Sequence, residues 1–122
     1  MANEYKGEIK GKLGDKERTF RLTFESICNI EDLLKQSIMK TAQQLANNDF
    51  TFRSVVTILH EGLKGSGNKI TFSTVGDMVS QGALVECAIL SGQLLGTIFI
   101  NQNEEETKTE EDSSPLEIAK TK

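Results

Sequence analysis

Period-two alternation opens the chain. Across residues 4–24, Tyr5, Ile9 and Leu13 fall on one face with Gly7 and Gly11, while Lys6, Glu8, Lys10 and Lys12 fall on the other. Alternation then resumes with Phe20 and Leu22 inward and Thr19 and Arg21 outward. Successive side chains of a strand point to opposite faces, so this pattern predicts two β-strands. Gly14-Asp15-Lys16-Glu17 between them supplies turn chemistry, which makes the unit a β-hairpin. A two-stranded hairpin alone is marginal in water and needs a cover for its apolar face. The helices that follow are the natural cover.

From Thr23 onward the apolar spacing changes to the helical one. Thr23 is placed to cap a helix carrying Phe24, Ile27, Cys28, Ile30 and Leu34, with Glu25 in its first turn and a Glu31–Lys35 pair one turn apart. Ser37 opens a short second helix with Ile38, Ala42 and Leu45, closed by Asn47-Asn48-Asp49. Thr51 opens a third, whose Phe52, Val55, Val56, Leu59 and Leu63 form one stripe, and Gly62, Gly65 and Gly67 are expected to stop it. Thr71 starts a fourth helix, from Phe72 to about Gln81, and Gly82 separates it from a fifth, from Leu84 to about Ile100. The expected fold is α+β: one N-terminal β-hairpin followed by about five helices in a single small domain.

Composition bounds the chemistry. The 122 residues suffice for one domain, with 37% apolar and 26% charged side chains, six Phe, one Tyr and no Trp. The net charge of −4 disfavours a general nucleic-acid binder, and it is not evenly spread. Residues 1–100 are neutral, whereas in 101–122 Lys108, Lys120 and Lys122 face Glu104, Glu105, Glu106, Glu110, Glu111, Asp112 and Glu117. With Pro115 and few apolar groups, that stretch cannot offset its ordering entropy by burial. The division is therefore a folded domain at 1–100 and an acidic, solvated tail at 101–122, the alternative for the tail being a lure for a basic partner.

Candidate reactive groups are sparse. One His and two Cys are too few soft ligands for a zinc site, so no metal or cofactor is expected. Met1 to Lys10 is polar and charged, so Cys28 and Cys87 are expected to be free thiols in a reducing cytoplasm, with a disulfide or a reactive Cys as the other account. A Cys–His pair of His60 with Cys28 or Cys87 has no local motif to orient it, and a helix-flank histidine is the plainer reading. Glu31 and Asp32 point to different sides of a helix and form no acid/base pair. Gly62-Leu63-Lys64-Gly65-Ser66-Gly67-Asn68-Lys69 resembles a phosphate loop only superficially: its spacing is wrong and it follows a helix. The longest apolar run, Ala83 to Ile100, contains Glu86 and Gln93 and reads as a buried helix, not a membrane span.

That fifth helix is where the residues themselves point to association. Ala88, Gly92 and Gly96 recur every four residues, a spacing that admits another backbone, and Leu94, Leu95, Ile98, Phe99 and Ile100 lie beside them. A helix apolar on more than one side is either central or covered by a partner. These eight residues form the candidate association surface, with packing inside the chain as the competing account.

Three stretches carry a family resemblance. The first is Lys6-Gly7-Glu8-Ile9 leading to Arg18-Thr19-Phe20-Arg21-Leu22-Thr23-Phe24 and Ser26-Ile27-Cys28-Asn29-Ile30-Glu31. The second runs from Phe52-Arg53 through Leu59-His60-Glu61-Gly62-Leu63, and the third joins Ile70-Thr71 to Val75-Gly76-Asp77-Met78-Val79. Together they resemble a family of small phage and gene-transfer-agent proteins, described as tail assembly chaperones and sometimes as tail tube proteins, over about residues 4–100. The hairpin is Lys-rich where that family is commonly Arg-rich, and the acidic tail is not a family hallmark. The resemblance carries over no catalytic, cofactor or metal residue. It implies a non-enzymatic protein of a bacterial host's cytoplasm, or of the particle itself, that shields the tape-measure protein until tail-tube subunits polymerise around it. The implied partners are tape-measure or other tail proteins and copies of itself, without nucleic acid or membrane. The alternatives are a structural tail tube or connector subunit, a small prophage regulatory module and, least supported by the residues, an enzyme.

Overall fold

The computed structural model describes residues 8–81 and 84–107, of which 100–107 are described as backbone. The expected α+β architecture is present: a two-stranded antiparallel hairpin followed by five helices in one small domain. Tyr5, Gly7, Gly82 and the 108–122 part of the expected acidic tail lie outside the described residues.

Strands β1 (Glu8–Leu13) and β2 (Lys16–Arg21) pair with Ile9 opposite Phe20, Gly11 opposite Arg18 and Leu13 opposite Lys16. The turn is tighter than the expected four residues. Only Gly14 and Asp15 form it, at φ 64° and 75°, the left-handed pair that matches the twist of a two-residue hairpin. Gly14 is required there twice over, because a Cβ would also run into the Met78 side chain. Leu13 and Phe20 are buried as the alternation predicts. Arg18 shares their face and turns its guanidinium to the Leu13 carbonyl (2.8 Å) and towards Met78 Sδ (3.7 Å).

Each of the next four helices starts at the expected hydroxyl cap. Thr23 caps α1 (Phe24–Leu34) and Ser37 caps α2 (Ile38–Ala46). Thr51 caps α3 (Phe52–Gly65) and Thr71 caps α4 (Phe72–Ser80). In each case the side-chain oxygen accepts an N–H of the first turn, and at Thr23 and Thr51 the N3 serine returns a bond to the cap backbone. Helix α5 spans Leu84–Thr107 and so continues past the expected end near Ile100.

Helix α3 is the axis of the core. It touches β2, α1, α4 and α5, and its Val55, Val56, Ile58, Leu59 and Leu63 are buried together with Phe20, Ile30, Val75, Val79 and Leu94. Gly62 does not stop α3. It is buried inside the helix, where Leu94 and Phe20 leave no room for a side chain, and termination comes at Gly65, with Ser66 as C-cap. Gly65 lies so close to the Arg21 carbonyl that a Cβ there would collide with backbone.

Helix α1 starts at Phe24 as expected, with one expected pair missing and its first residue exposed. Phe24 is 82% exposed, because the capping residue fixes where the helix starts and that start turns position 24 outward. The Glu31–Lys35 pair does not form. Lys35 leaves the helix as a left-handed C-cap (φ 58°), and Glu31 Oε2 instead accepts the N–H of Ile38 at 2.8 Å, satisfying an orphan donor at the start of α2.

Candidate functional site

Helix α5 has two apolar seams. One consists of Cys87, Leu90, Ser91 and Leu94, buried against β1 and α3, with Ile98 packed at its end. Ser91 is accommodated there because its hydroxyl donates to the Cys87 carbonyl at 2.9 Å, one turn back. The second seam is Val85, Ala88, Ile89, Gly92, Leu95, Gly96 and Phe99, which recur at helical spacing on a different side. It faces α2.

Helices α5 and α2 touch but do not close on each other. Between them, and under the α2–α3 connection, runs an apolar groove of about 650 Å³. Ala42, Leu45, Ala46 and Phe50 form one wall, Val85, Ile89 and Phe99 the other, and Ala88, Gly92 and Gly96 the floor. Asn48 is the single polar residue among the described residues that line it. Val85 and Ile89 remain 67% and 57% exposed, and a Cβ built on Gly92 meets nothing within 4 Å. Val85 also lines a second, more open hollow, beside Phe52, Leu84 and Glu86.

The eight residues of the expected association surface are thus divided. Ala88, Gly92, Leu95, Gly96 and Phe99 line the groove, Leu95 while buried. Leu94 is wholly buried in the core and Ile98 packs against it, while the side chain of Ile100 lies outside the described residues. Sequence reasoning missed Val85 and Ile89, although continuing the period backwards from Gly92 reaches both. It also missed the facing wall, since nothing in the sequence says that α2 stands opposite α5.

The polar candidates are placed in structural roles. His60 Nε2 lies 3.1 Å from the Ile70 carbonyl, and its ring meets Phe72 edge-on at 5.7 Å. Cys28 is half-buried on α1, Cys87 is buried on α5, and both are free thiols. Burial, reinforced by the charge of Glu86, pushes the Cys87 thiol up from its ordinary pKa, away from thiolate reactivity. Glu61, which sequence reasoning passed over, is only 3% exposed. Its carboxylate accepts from Asn29 Nδ2 (3.2 Å) and pairs with Lys64 Nζ (3.3 Å), so the buried charge is compensated. Among the described residues no group of three or more His, Cys, Asp or Glu could hold a metal ion. No described helix is long and apolar enough to cross a membrane.

Among the described residues, the groove lining contributes no acid, base or nucleophile. What it can do chemically is exclude water from an apolar surface brought to it.

Comparison with known families places this architecture. Residues 6–101 match the family described as phage tail tube protein, GTA-gp10. The chain belongs to that family, so the hairpin, the five helices and the α2–α5 groove are features of a phage-tail or gene-transfer-agent tail protein. Neither the curated proteins nor the solved structures gave a significant match.

Proposed function

We propose that this protein is a non-enzymatic tail-assembly factor that holds apolar segments of another tail protein in the α2–α5 groove. In this reading it shields the tape-measure protein until tail-tube subunits assemble around it. The observation that carries the reading is the groove itself, an open apolar trough on a chain of a tail-protein family. Contiguous exposed apolar surface marks interaction sites on soluble domains. Catalysis needs convergent polar groups, and among the described residues the groove lining supplies only Asn48. The partners are other tail proteins, and the work is done in the cytoplasm of the host cell.

A second reading has specific support: the family's own description is that of a tail tube protein. Under it the chain is a structural subunit retained in the particle. The two readings differ in stoichiometry. Mass spectrometry of purified particles finds a chaperone scarce or absent and a tube subunit abundant. Co-expression with the tape-measure protein recovers a stable pair only for the chaperone, and an abundant particle-bound chain that leaves the tape-measure protein behind overturns the first reading.

A further inference from the structure

The groove selects the conformation of what enters it. Apart from Asn48 and Phe50 of the α2–α3 connection, its lining belongs to helices, whose backbone N–H and C=O groups are engaged along their lengths, so no continuous ladder is offered to an extended peptide. An extended segment laid there would bury its own backbone groups without partners, which is costly. A helix arrives with those groups already bonded.

Gly92 adds an independent observation. Glycine inside a helix is unfavourable relative to alanine, so a buried neighbour usually explains it. Gly62 of α3 has such neighbours, in Leu94 and Phe20, while Gly76 of α4 meets only Val56 Cγ1, at 3.9 Å. Gly92 has none within 4 Å. The space above it lies open on the groove floor, where a second helix backbone can come close.

Size and charge narrow the occupant further. From Val85 to Phe99 the seam is about 21 Å long, about four helical turns. At one helix diameter in width it covers about 250 Å², far less than the about 800 Å² per partner of a standard stable interface. One helix covers the seam along its whole length, whereas a second copy would have to bury surface well beyond it to reach that size. Among the described residues, neither the groove nor the hollow beside it is lined by Lys or Arg, and Glu86 borders the hollow. Beyond Phe99 the chain carries Glu104, Glu105 and Glu106 in the last turn of α5, which has no basic residue. Like charges clustered in sequence favour a cationic partner.

We propose that the α2–α5 groove binds an amphipathic α-helix of another protein, about four turns long, apolar on one face and bearing Lys or Arg on its flanks. The proposal rests on the groove being the contact surface of the proposed function, and it names the class of partner taken there.

The test uses the full chain and three labelled synthetic peptides of about 16 residues. The first has a Leu/Ala face with Lys flanks, the second replaces Lys by Glu, and the third interrupts the Lys peptide with a central Pro that breaks its helix. Fluorescence anisotropy should show the Lys helix binding, and the Glu and Pro peptides binding at least about tenfold more weakly. Gly92→Leu fills the floor without changing charge and should weaken the Lys helix by at least about tenfold, with circular dichroism like the parent's. Ile89→Glu, on the exposed wall, guards against a misfolded first variant and should remove the apolar contact likewise. Folded Gly92→Leu and Ile89→Glu proteins that bind like the parent, a Pro peptide that binds as well as the helix, or no uptake of any helical peptide overturns the assignment. Co-expression with the tape-measure protein separates the two claims. If the Lys helix needs Gly92 but the tape-measure protein is not recovered, the helix site stands and the chaperone reading fails. If the tape-measure protein is recovered equally by Gly92→Leu, the chaperone reading stands and the helix site is overturned.

Discussion

Gly62 of α3 and Leu94 of α5 are packed so that a Cβ on the glycine would stand 2.6 Å from Leu94 Cδ2, with Phe20 Cβ and Cδ2 at 3.3 Å. Leu94 and Phe20 are both wholly buried, so neither can swing away. The hairpin, the central helix and the last helix therefore meet at one missing side chain. Gly92, two residues before Leu94 on the same helix, has open space in the same position.

The two glycines should respond oppositely to alanine. Gly62→Ala gains about 1 kcal/mol in helix propensity but overpacks the core, which costs about 1–3 kcal/mol, so a net loss of stability is expected. Gly92→Ala should stabilise by about 0.5–1 kcal/mol. Urea unfolding of both variants checks this, and a stabilised Gly62→Ala would show that α3 and α5 are not packed as described.

The hairpin register makes a second contrast. Phe20 is buried opposite Ile9, and Lys10 is exposed opposite Thr19. Phe20→Ala should cost about 3–5 kcal/mol, much of the stability of a small domain. Lys10→Ser should stay within about 0.5 kcal/mol. Equal melting temperatures for the two would contradict the facing of the sheet.

Much of this fold was legible because its signals are local. The alternation of Ile9, Leu13, Phe20 and Leu22 and the hydroxyls of Thr23, Ser37, Thr51 and Thr71 each act within a few residues, and the structure places the strands and helix starts accordingly. What failed depended on tertiary neighbours. Gly62 looks like a helix stop until Leu94 is placed over it, and Glu31 looks like a partner for Lys35 until α2 begins beside it. The groove was half legible: the small residues of α5 were visible as a stripe, but its opposing wall comes from a helix distant in sequence.

Glu31 should prove a cap and not a surface ion-pair partner. Glu31→Ala removes the acceptor of the Ile38 N–H and should cost about 0.5–2 kcal/mol, while Glu31→Gln keeps an acceptor oxygen and should lose less. Lys35→Ala should be the mild change of the three in its electrostatic effect. Amide exchange in the first turn of α2 reads the loss locally.

Cys87 predicts an alkaline dependence. Burial first, and Glu86 second, raise its folded pKa above the ordinary 9.0. The neutral thiol is thus favoured by the fold, and its contribution is fully present below pH 9.0. Stability should fall as pH rises from there towards the folded pKa, because the unfolded chain releases the proton first. Cys87→Ala should flatten that part of the profile. In the native protein at neutral pH a thiol reagent should modify half-buried Cys28 before Cys87, with Cys87 reacting on unfolding.

Ile89 and Leu90 are adjacent on α5 yet belong to its two different seams. Leu90 is 6% exposed and lies over Gly11 of β1, where its methyl groups take the place of a side chain on the strand. Ile89 projects into the groove and is 57% exposed. A carboxylate at position 90 would be desolvated over Gly11, where the nearby Arg18 guanidinium is already held by the Leu13 carbonyl, so Leu90→Glu should cost several kcal/mol, about the loss for a poorly compensated buried charge. Ile89→Glu keeps its charge in water and should leave the melting temperature within a few degrees, as expected for a surface change of about 0.5 kcal/mol. If the groove is the contact surface, Ile89→Glu should nonetheless stop co-purification with tail proteins and any self-association seen by light scattering. The neighbouring seam cannot separate folding from contact in this way, which is why Ile98, packed against the core, is the poorer position to probe. Unchanged partner recovery by a folded Ile89→Glu variant would place the contact surface elsewhere on the domain.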